Sequence, residues 1–581
     1  MDSAVLAPSQ TLTVTSSGPG AELPPAWGQR CIWGWHGMGG AEVRFAHAGS
    51  YSLESLGAGG CRVDDLVDAV RRVVSRHDAL RTRLVHEGGE LIGQVVDATG
   101  ELTIDVYVAD ESSAHSVGEA IAERQADRVW TGREWPLRVS IVAVDDIAAY
   151  VVVSQNRLVF DTQSMKFVLD EMAALAADPA ADLADRYQSI EESLFEQSPD
   201  GAAVSEQAGE FWRAGLRRSP PSLFDFPPPE PEGKRHIMAP MRSAAVARAV
   251  PVLRRRWRVS DAAVVLTAVA TALTAYTGHR AVAAQILSAN RTDRARKNMV
   301  GTLVSEGLVL VDLTLGSFGD ITRNTETVMR LANRNAYCDP DAIARVREEV
   351  ERDRGVPLDL TIFFNDVLTA RQTVGQADPV DDLSDLVADG SGLPPIEQWH
   401  GWEHAIQGRT CKEIRLLLSA EQHEDLPLLL FADTAYISRA AVRDIFLGAE
   451  RLLVAAARDG DVAGADLAVA CGIATAPRPE TWVALADGWV DLPASAAAWR
   501  AVAEPAPAEL ALGDDGLLVG CLGGDTEPSF VDLHRRFMAS IGGTEGRRAP
   551  ARYRWVSLAG GTPDRPKGWL DLPVLAEGTG R

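Results

Sequence analysis

Cysteine is scarce in this chain. Six stand among 581 residues, at 31, 61, 338, 411, 471 and 521, and no two form a C-x-x-C pair. That scatter argues against a disulfide frame or a cysteine-built zinc site, and suits incidental thiols in a reducing compartment. Neither H-x-x-H nor H-E-x-x-H occurs, so no metal is expected. Gly37-Met38-Gly39-Gly40 does not join a strand to a helix and is not read as a phosphate loop. Positive charge is also short, with 57 Lys and Arg against 81 Asp and Glu, a net charge of −24. The deficit argues against general nucleic-acid binding and against an anionic membrane surface. The apolar run Asp261 to Tyr276 falls below about 18 residues and reads as a buried helix, not a span. No basic-then-apolar-then-small order opens the chain, so no signal peptide is expected. A cytoplasmic location is expected.

What is present is ordinary globular composition, 46% hydrophobic and 24% charged. A chain of 581 residues is too long for one core and suggests about three or four domains. Residues 1–22 are rich in Ser, Thr, Gly and Ala and are expected to be disordered. Val63 to His77 has apolar residues at helical spacing. Leu102 to Val108 and Leu137 to Val144 read as strands, within an α/β unit over 23–218 that ends in a helix at Val204 to Leu216. The Pro-rich stretch Ser219 to Glu232 reads as a stiff, extended linker, which places a boundary at 219–235. A second unit, 236–460, is expected to open with a strand at Ala244 to Val250 and a helix at 261–276. Strands at Val282 to Leu287 and Val300 to Leu313 follow, and a helix, Ile437 to Ala457, closes it. Asp378 to Gly392 reads as a mobile loop. Residues 461–477 read as a linker. A small α+β unit, 478–581, is expected to hold a hairpin around Asp487-Gly488 and a helix capped by Ser495. A strand at Gly516 to Cys521 and a helix at Ser529 to Ser540 complete it.

One stretch concentrates polar chemistry. The apolar strand Ala148 to Val153 runs into Ser154-Gln155-Asn156-Arg157-Leu158-Val159-Phe160-Asp161-Thr162-Gln163-Ser164, and a helical segment, Met165 to Leu175, follows. A strand, a short polar crossing and a helix commonly present side chains at a channel. Taken alone, Asp161 and Ser164 also fit simple caps of that helix.

The register Asn156-Arg157-x-x-x-Asp161-Thr162 resembles the H-H-x-x-x-D-G motif of nonribosomal peptide synthetase condensation domains. The aspartate is kept; both histidines and the glycine are replaced. Further segments resemble that family's motifs in its own order. They are Pro25-Ala26-Trp27-Gly28-Gln29-Arg30, Arg76-His77-Asp78-Ala79-Leu80-Arg81-Thr82, Phe211-Trp212 and Met299-Val300-Gly301. Tyr337-Cys338-Asp339-Pro340 and Leu430-Phe431-Ala432-Asp433 continue the series. The resemblance to the condensation/heterocyclization superfamily implies an α/β fold of two chloramphenicol-acetyltransferase-like lobes in a V-shaped pseudodimer.

The resemblance also implies chemistry. Acyl or aminoacyl groups would arrive as phosphopantetheine thioesters on carrier proteins, with C–N bond formation in a channel between the lobes. No permanently bound cofactor is implied. Carrier proteins and other synthetase components would be the partners, without nucleic acid or membrane. In the family the second histidine deprotonates or orients the attacking amine and holds the oxyanion; that position falls on Arg157. Arginine stays protonated and cannot be a general base. It can donate to an oxyanion or a phosphate, or simply pair with a carboxylate. The family aspartate, largely structural there, falls on Asp161, with Arg291 as its expected partner; an unpaired Asp161 would instead be a usable base. A second register, Asn156-x-x-x-x-Asp161-x-x-Ser164, resembles the D-x-x-x-x-D-x-x-S of heterocyclization domains, which condense and then cyclodehydrate Cys, Ser or Thr. Asn156, Arg157, Asp161 and Ser164 are the candidate catalytic residues.

Two rival readings stand beside this one. The first is a catalytically inactive carrier-docking or scaffolding domain. The second is an unrelated acyltransferase with Ser164 as nucleophile, for which no Ser-His-Asp order is apparent. His77 is expected to support the fold; His36 and His86 match no motif. Arg213, Arg217, Arg218, Lys234 and Arg235 could form a basic patch for an acidic carrier, or be solvated surface charges. The ending Leu572 to Arg581 resembles the L-P-x-T-x-N-G-K-V-D-R of the small C-terminal subdomain of adenylation domains. The lysine of that signature falls on Thr579, whose hydroxyl supplies no charge. A packing or docking role, not an ATP site, is therefore expected for 478–581; a generic α+β appendage is the other reading.

Overall fold

The computed structural model describes residues 7–36, 46–130, 132–230, 233, 235–366, 397–398, 415–420, 428–542 and 546–581. The strands of the first half are β1 (Gln10–Ser17), β2 (Ala21–Leu23), β3 (Ala46–Ser52), β4 (Thr82–Glu87), β5 (Glu90–Val96), β6 (Thr99–Val108), β7 (Leu137–Val144) and β8 (Ile147–Asn156). Five of them make one sheet in the order β1-β6-β7-β8-β3, which leaves β3 at an edge; β2-β5-β4 form a separate small sheet. Helices α1 (Trp27–His36), α2 (Val63–Arg76), α3 (Ala114–Ala126) and α4 (Thr162–Ala177) accompany them.

Strand periodicity sorts β8 between two cores. Val151 and Val153 pack with Leu66, Val70 and Val73 of α2 and Val168 and Met172 of α4. Val152 packs on the other face with Ile121 of α3. Each Val or Leu buried in this way contributes roughly 1.5–3 kcal/mol. At the end of α2, His77 is 1% exposed and its Nε2 lies 2.7 Å from Glu171 Oε2 of α4.

The expected disorder of residues 1–22 is corrected over its described part. Gln10 to Ser17 pairs antiparallel with β6 along its whole length. A composition rich in Ser and Thr hid the alternation of Leu12 and Val14, which pack on the core, and threonine suits a pleated, half-buried strand.

Helices α5 (Ser189–Glu196) and α6 (Pro199–Arg218) lead to the second half. Its strands are β9 (His236–Met241), β10 (Ala281–Ser288), β11 (Ser305–Asp312), β12 (Ile362–Asp366), β13 (Glu397–Gln398), β14 (Leu416–Ala420) and β15 (Leu428–Asp433). They form one sheet, β11-β10-β12-β14-β15-β9-β13, separate from the first. Helices α7 (Ala244–Trp257), α8 (Asp261–Thr277), α9 (Phe318–Arg334) and α10 (Pro340–Arg354) flank it, with a long helix at Arg439–Asp459.

Ala244 to Val250 is helical, not the expected strand. Ser243 caps α7 by accepting from Val246 N at 3.1 Å. Val246, Ala249, Val250, Leu253 and Trp257 are buried, a spacing of three and four that belongs to a helix. The linker expected at 461–477 contains a short helix, Leu467–Cys471, with both its end residues buried. Small residues allow the approach: a Cβ on Gly448 would lie 2.4 Å from Ile473 Cδ1. The crossing at 219–230 has no regular secondary structure, as expected of an extended stretch, but Ser219 to Phe226 is buried, so it is no free spacer. The loop expected at Asp378 to Gly392 lies outside the described residues.

The last unit contains the hairpin β16 (Trp482–Leu485) and β17 (Gly488–Asp491). A sheet of β18 (Ala508–Leu512), β19 (Leu518–Leu522), β20 (Arg552–Val556) and β21 (Val574–Gly578) follows. Trp499, Phe537 and Tyr553 form its core, each at 0% exposure. The helix Leu492–Ala503 is capped by Asp491, which accepts from Ala494 N at 3.0 Å. Ser495, the expected cap, is buried and accepts from Arg548 N instead. The unit is bound tightly to the second half. Asp487 takes Arg354 at 2.7 Å and Arg548 at 2.5 and 2.8 Å. Ala549 N donates to Gly355 O at 2.9 Å.

Candidate active site at the junction of the two halves

β8 ends at Asn156, and the chain turns through Arg157 to Phe160 into α4. Asn156 accepts from Leu158 N at 3.1 Å through its side-chain oxygen, so the amide holds the turn. Asp161 caps α4: its Oδ1 accepts from Ser164 N at 2.8 Å. Arg291, from the loop after β10, brings Nη2 to 2.9 Å from both Asp161 oxygens. Its Nη1 donates to Met299 O at 2.7 Å. Ser164 Oγ sits within the same cluster. It accepts from Arg291 Nη2 at 2.8 Å and from Gly301 N at 3.0 Å, and lies 2.8 Å from Gly301 O.

The structure therefore brings Asp161, Ser164 and Arg291 together, and it joins the halves with them. Asn156 and Asp161 are each 7% exposed and Ser164 is 0% exposed. The Asp161 carboxylate, the Ser164 hydroxyl and the Asn156 side-chain oxygen all bond to protein. Arg157 differs. Its carbonyl accepts from Thr302 Oγ1 at 2.9 Å, but its side chain is exposed. The surrounding protein still strips away enough water to lower the guanidinium pKa, an effect that the Asp161 charge partly offsets. Arg157 is thus a cation that this turn leaves at the surface.

Sequence reading passed over two features. The first is His47, which β3 brings beside the site: it pairs in register with Gln155. No local motif marks it, and only the strand pairing reveals it. The second is a proton-sharing group between the halves. Glu192 and Glu196, one turn apart on α5, both reach the Tyr337 hydroxyl, at 2.7 and 2.5 Å. Arg296 holds Glu192 at 2.9 Å through two nitrogens, and Trp27 N donates to Glu196 Oε2 at 3.0 Å. Burial, together with the Glu192 charge, pushes the Glu196 carboxyl up to about 7, against its hydrogen bonds from Tyr337 and Trp27. An acid spaced four residues from another on one helix was the available signal.

The proposed basic patch is largely neutralised. Arg213 faces Glu349 at 3.0 Å, Arg217 faces Asp353 at 3.7 Å, Arg218 faces Asp312 at 3.0 Å and Arg235 faces Asp433 at 2.8 Å. Lys234 lies outside the described residues. His86 rests against the Trp33 ring, and the side chain of His36 lies outside the described residues, as does Gly37 to Gly40.

Solved structures share this architecture. SgcC5 protein from Streptomyces globisporus superposes with a TM-score of 0.53 at 20% identity, over 75% of this chain and 98% of that one. The condensation domain of the monacolin K polyketide synthase MokA gives 0.54 at 15%, over 76% and 99%. The fold is thus the two-lobed chloramphenicol-acetyltransferase-like pseudodimer. A family model for the condensation domain matches residues 46–379, more than half of the chain. The chain belongs to the condensation-domain family.

Among curated relatives, cyclosporin synthetase simA of Tolypocladium inflatum is 27% identical over 284 residues, 46% of this chain and 2% of that protein. The hybrid PKS-NRPS synthetase gkaA of Penicillium citrinum is 25% identical over 167 residues, 28% of this chain and 4% of that protein. The chain thus spans a small fraction of the length of these relatives.

Proposed function

We propose that this protein works in nonribosomal peptide or related polyketide assembly in the cytoplasm, as a condensation-type acyltransferase. Its substrates are acyl or aminoacyl groups on phosphopantetheine arms. One carrier protein presents the thioester and a second presents the amine, and the product is a new C–N bond. Carrier proteins and other synthetase components are its partners. The lobes are residues 23–218 and 236–460, joined through 219–235. The unit 478–581 serves in packing or docking.

The carrying observation is Arg157, exposed at the family's histidine position beside the junction of the halves. There it donates to the oxyanion of the tetrahedral intermediate, the kind of preorganised charge that stabilises acyl-transfer transition states. Asp161, Ser164 and Arg291 position the turn that carries it. Amide formation is favoured over cyclodehydration because the Asp161 carboxylate, the Ser164 hydroxyl and the Asn156 side-chain oxygen are all engaged by the protein.

Intact-mass analysis of loaded carrier proteins incubated with this chain tests the reading. The acceptor carrier is expected to gain the donor's acyl mass. Inertness with every loaded carrier pair of the pathway would favour a docking role instead.

A further inference from the structure

We propose that His47 is the general base of this site, standing on the neighbouring strand in place of the histidine that the motif has lost. The proposal rests on the condensation reading above and adds the residue that moves the proton.

Arg157 leaves a gap in that reading. It can hold an oxyanion, but it cannot take a proton from an amine. The other candidates at the turn are committed. Asp161 is ion-paired and Ser164 is buried within the same cluster. His77 is buried against Glu171.

The sheet supplies a different histidine. In the β3–β8 ladder, His47 stands opposite Gln155, two residues before Arg157. Directly opposed residues share one face of the sheet, with Cβ atoms about 4.5–5.5 Å apart. Among the described residues β3 is the edge strand, and the His47 side chain is exposed.

A base also needs something to orient it. Gln155 is 0% exposed, and its Nε2 donates to Phe160 O at 3.3 Å. That leaves its buried Oε1 with no hydrogen-bond partner among the described residues. An imidazole N–H from the opposed position is within reach to supply the missing bond, which would leave the second ring nitrogen to take a proton. The electrostatics agree. Burial first, and then the Arg157 charge, hold the His47 imidazole below the usual histidine range. Histidine is therefore present as the neutral base at neutral pH, and it lies close enough to Arg157 to feel its charge.

The step balances. The amine nitrogen attacks the thioester carbonyl and His47 takes the amine proton. Arg157 holds the oxyanion while the C–N bond forms. Collapse breaks the C–S bond, and the imidazolium returns its proton to the departing thiolate, giving amide and free thiol. The two duties of one family histidine are thereby divided between His47 and Arg157.

The test uses the full chain with loaded carrier pairs, and with acyl N-acetylcysteamine thioesters plus a free amine as probes. His47→Gln should lower the condensation rate by about 10²–10⁴-fold with an unchanged melting curve; His47→Asn serves as the second variant should Gln disturb the strand. The wild-type rate should rise with pH through an apparent pKa below the usual histidine value, and Arg157→Gln should move that inflection upward. A wild type that condenses, with His47 variants equal to it in rate and pH profile, overturns the His47 assignment and leaves the condensation reading standing. A wild type inert toward all probes overturns both.

Discussion

Arg291 Nη2 stands 2.9 Å from each oxygen of Asp161, and the two residues are 130 positions apart in the chain. The pair fastens the turn after β8 to the loop after β10, with side chains 8% and 7% exposed. Asp161→Asn keeps a good capping residue but leaves a buried guanidinium without its counter-charge. Breaking such a pair typically costs about 3–5 kcal/mol. Urea denaturation should register a loss of that order, larger than any change in carrier affinity. An unaltered melting temperature with abolished turnover would instead make Asp161 a catalyst.

Arg157→Ala should do the reverse. Its exposed side chain supports no core, so the melting curve should hold. Condensation should fall by about 10²–10³-fold, the usual effect of removing one preorganised oxyanion donor. Arg157→His discriminates further: a decayed amide synthase would gain rate, whereas a site divided between His47 and Arg157 would lose it.

Glu196 predicts a pH dependence with a definite sign. Its folded pKa, about 7, lies above its unfolded value near 4.3. The folded state therefore favours the protonated acid. Stability from this group is fully present below the unfolded value, declines as pH rises toward 7, and is flat above. Glu196→Gln mimics the protonated form. The variant should match wild type at pH 4 and melt higher at pH 8, by a margin of roughly 1–3 kcal/mol. Thermal melts across that range check it, and equal pH slopes for both proteins would count against it.

Asp487 carries the opposite sign. Burial pushes its carboxyl up, but the guanidinium groups of Arg548 and Arg354 prevail and hold it well below the usual carboxylate range. Its contribution is present above the unfolded value, about 3.9, and is lost as pH falls below it. At neutral pH, Asp487→Asn should loosen the last unit by about 1–3 kcal/mol. Limited proteolysis within residues 461–477 should speed up while the β1–β8 half stays protected.

Much of this was legible in the sequence because local pattern and tertiary demand agreed. Helix α2 shows its period, β6, β7 and β8 show apolar strand runs, α8 shows an apolar run too short to span a membrane, and Asp487-Gly488 marks its hairpin. The Asp161–Arg291 contact was foreseen from family motifs rather than from spacing. Where composition and period disagree, composition misleads: it points to disorder in Ser/Thr-rich β1 and to a strand in apolar α7. His47 was invisible for a different reason. Its place beside Gln155 is a property of strand register, and no residue near it in sequence states that register. Glu196 was missed because its meaning depends on Tyr337, which the fold brings from the other half.

The crossing segment has one more consequence. Asp225, 4% exposed, sits where the chain passes between the halves. It accepts from Arg478 Nη2 at 2.8 Å, from Trp489 N at 2.7 Å, and lies 2.9 Å from His279 Nε2. One carboxylate thus serves as a keystone for three bodies. Any shift of this segment against the second half would pull on His279, on Arg478 and on the hairpin at Trp489 at the same moment. The last unit therefore works as a splint: it clamps the crossing to the second half, and loosening the hairpin at Trp489 would release the Asp225 carboxylate from one of its donors.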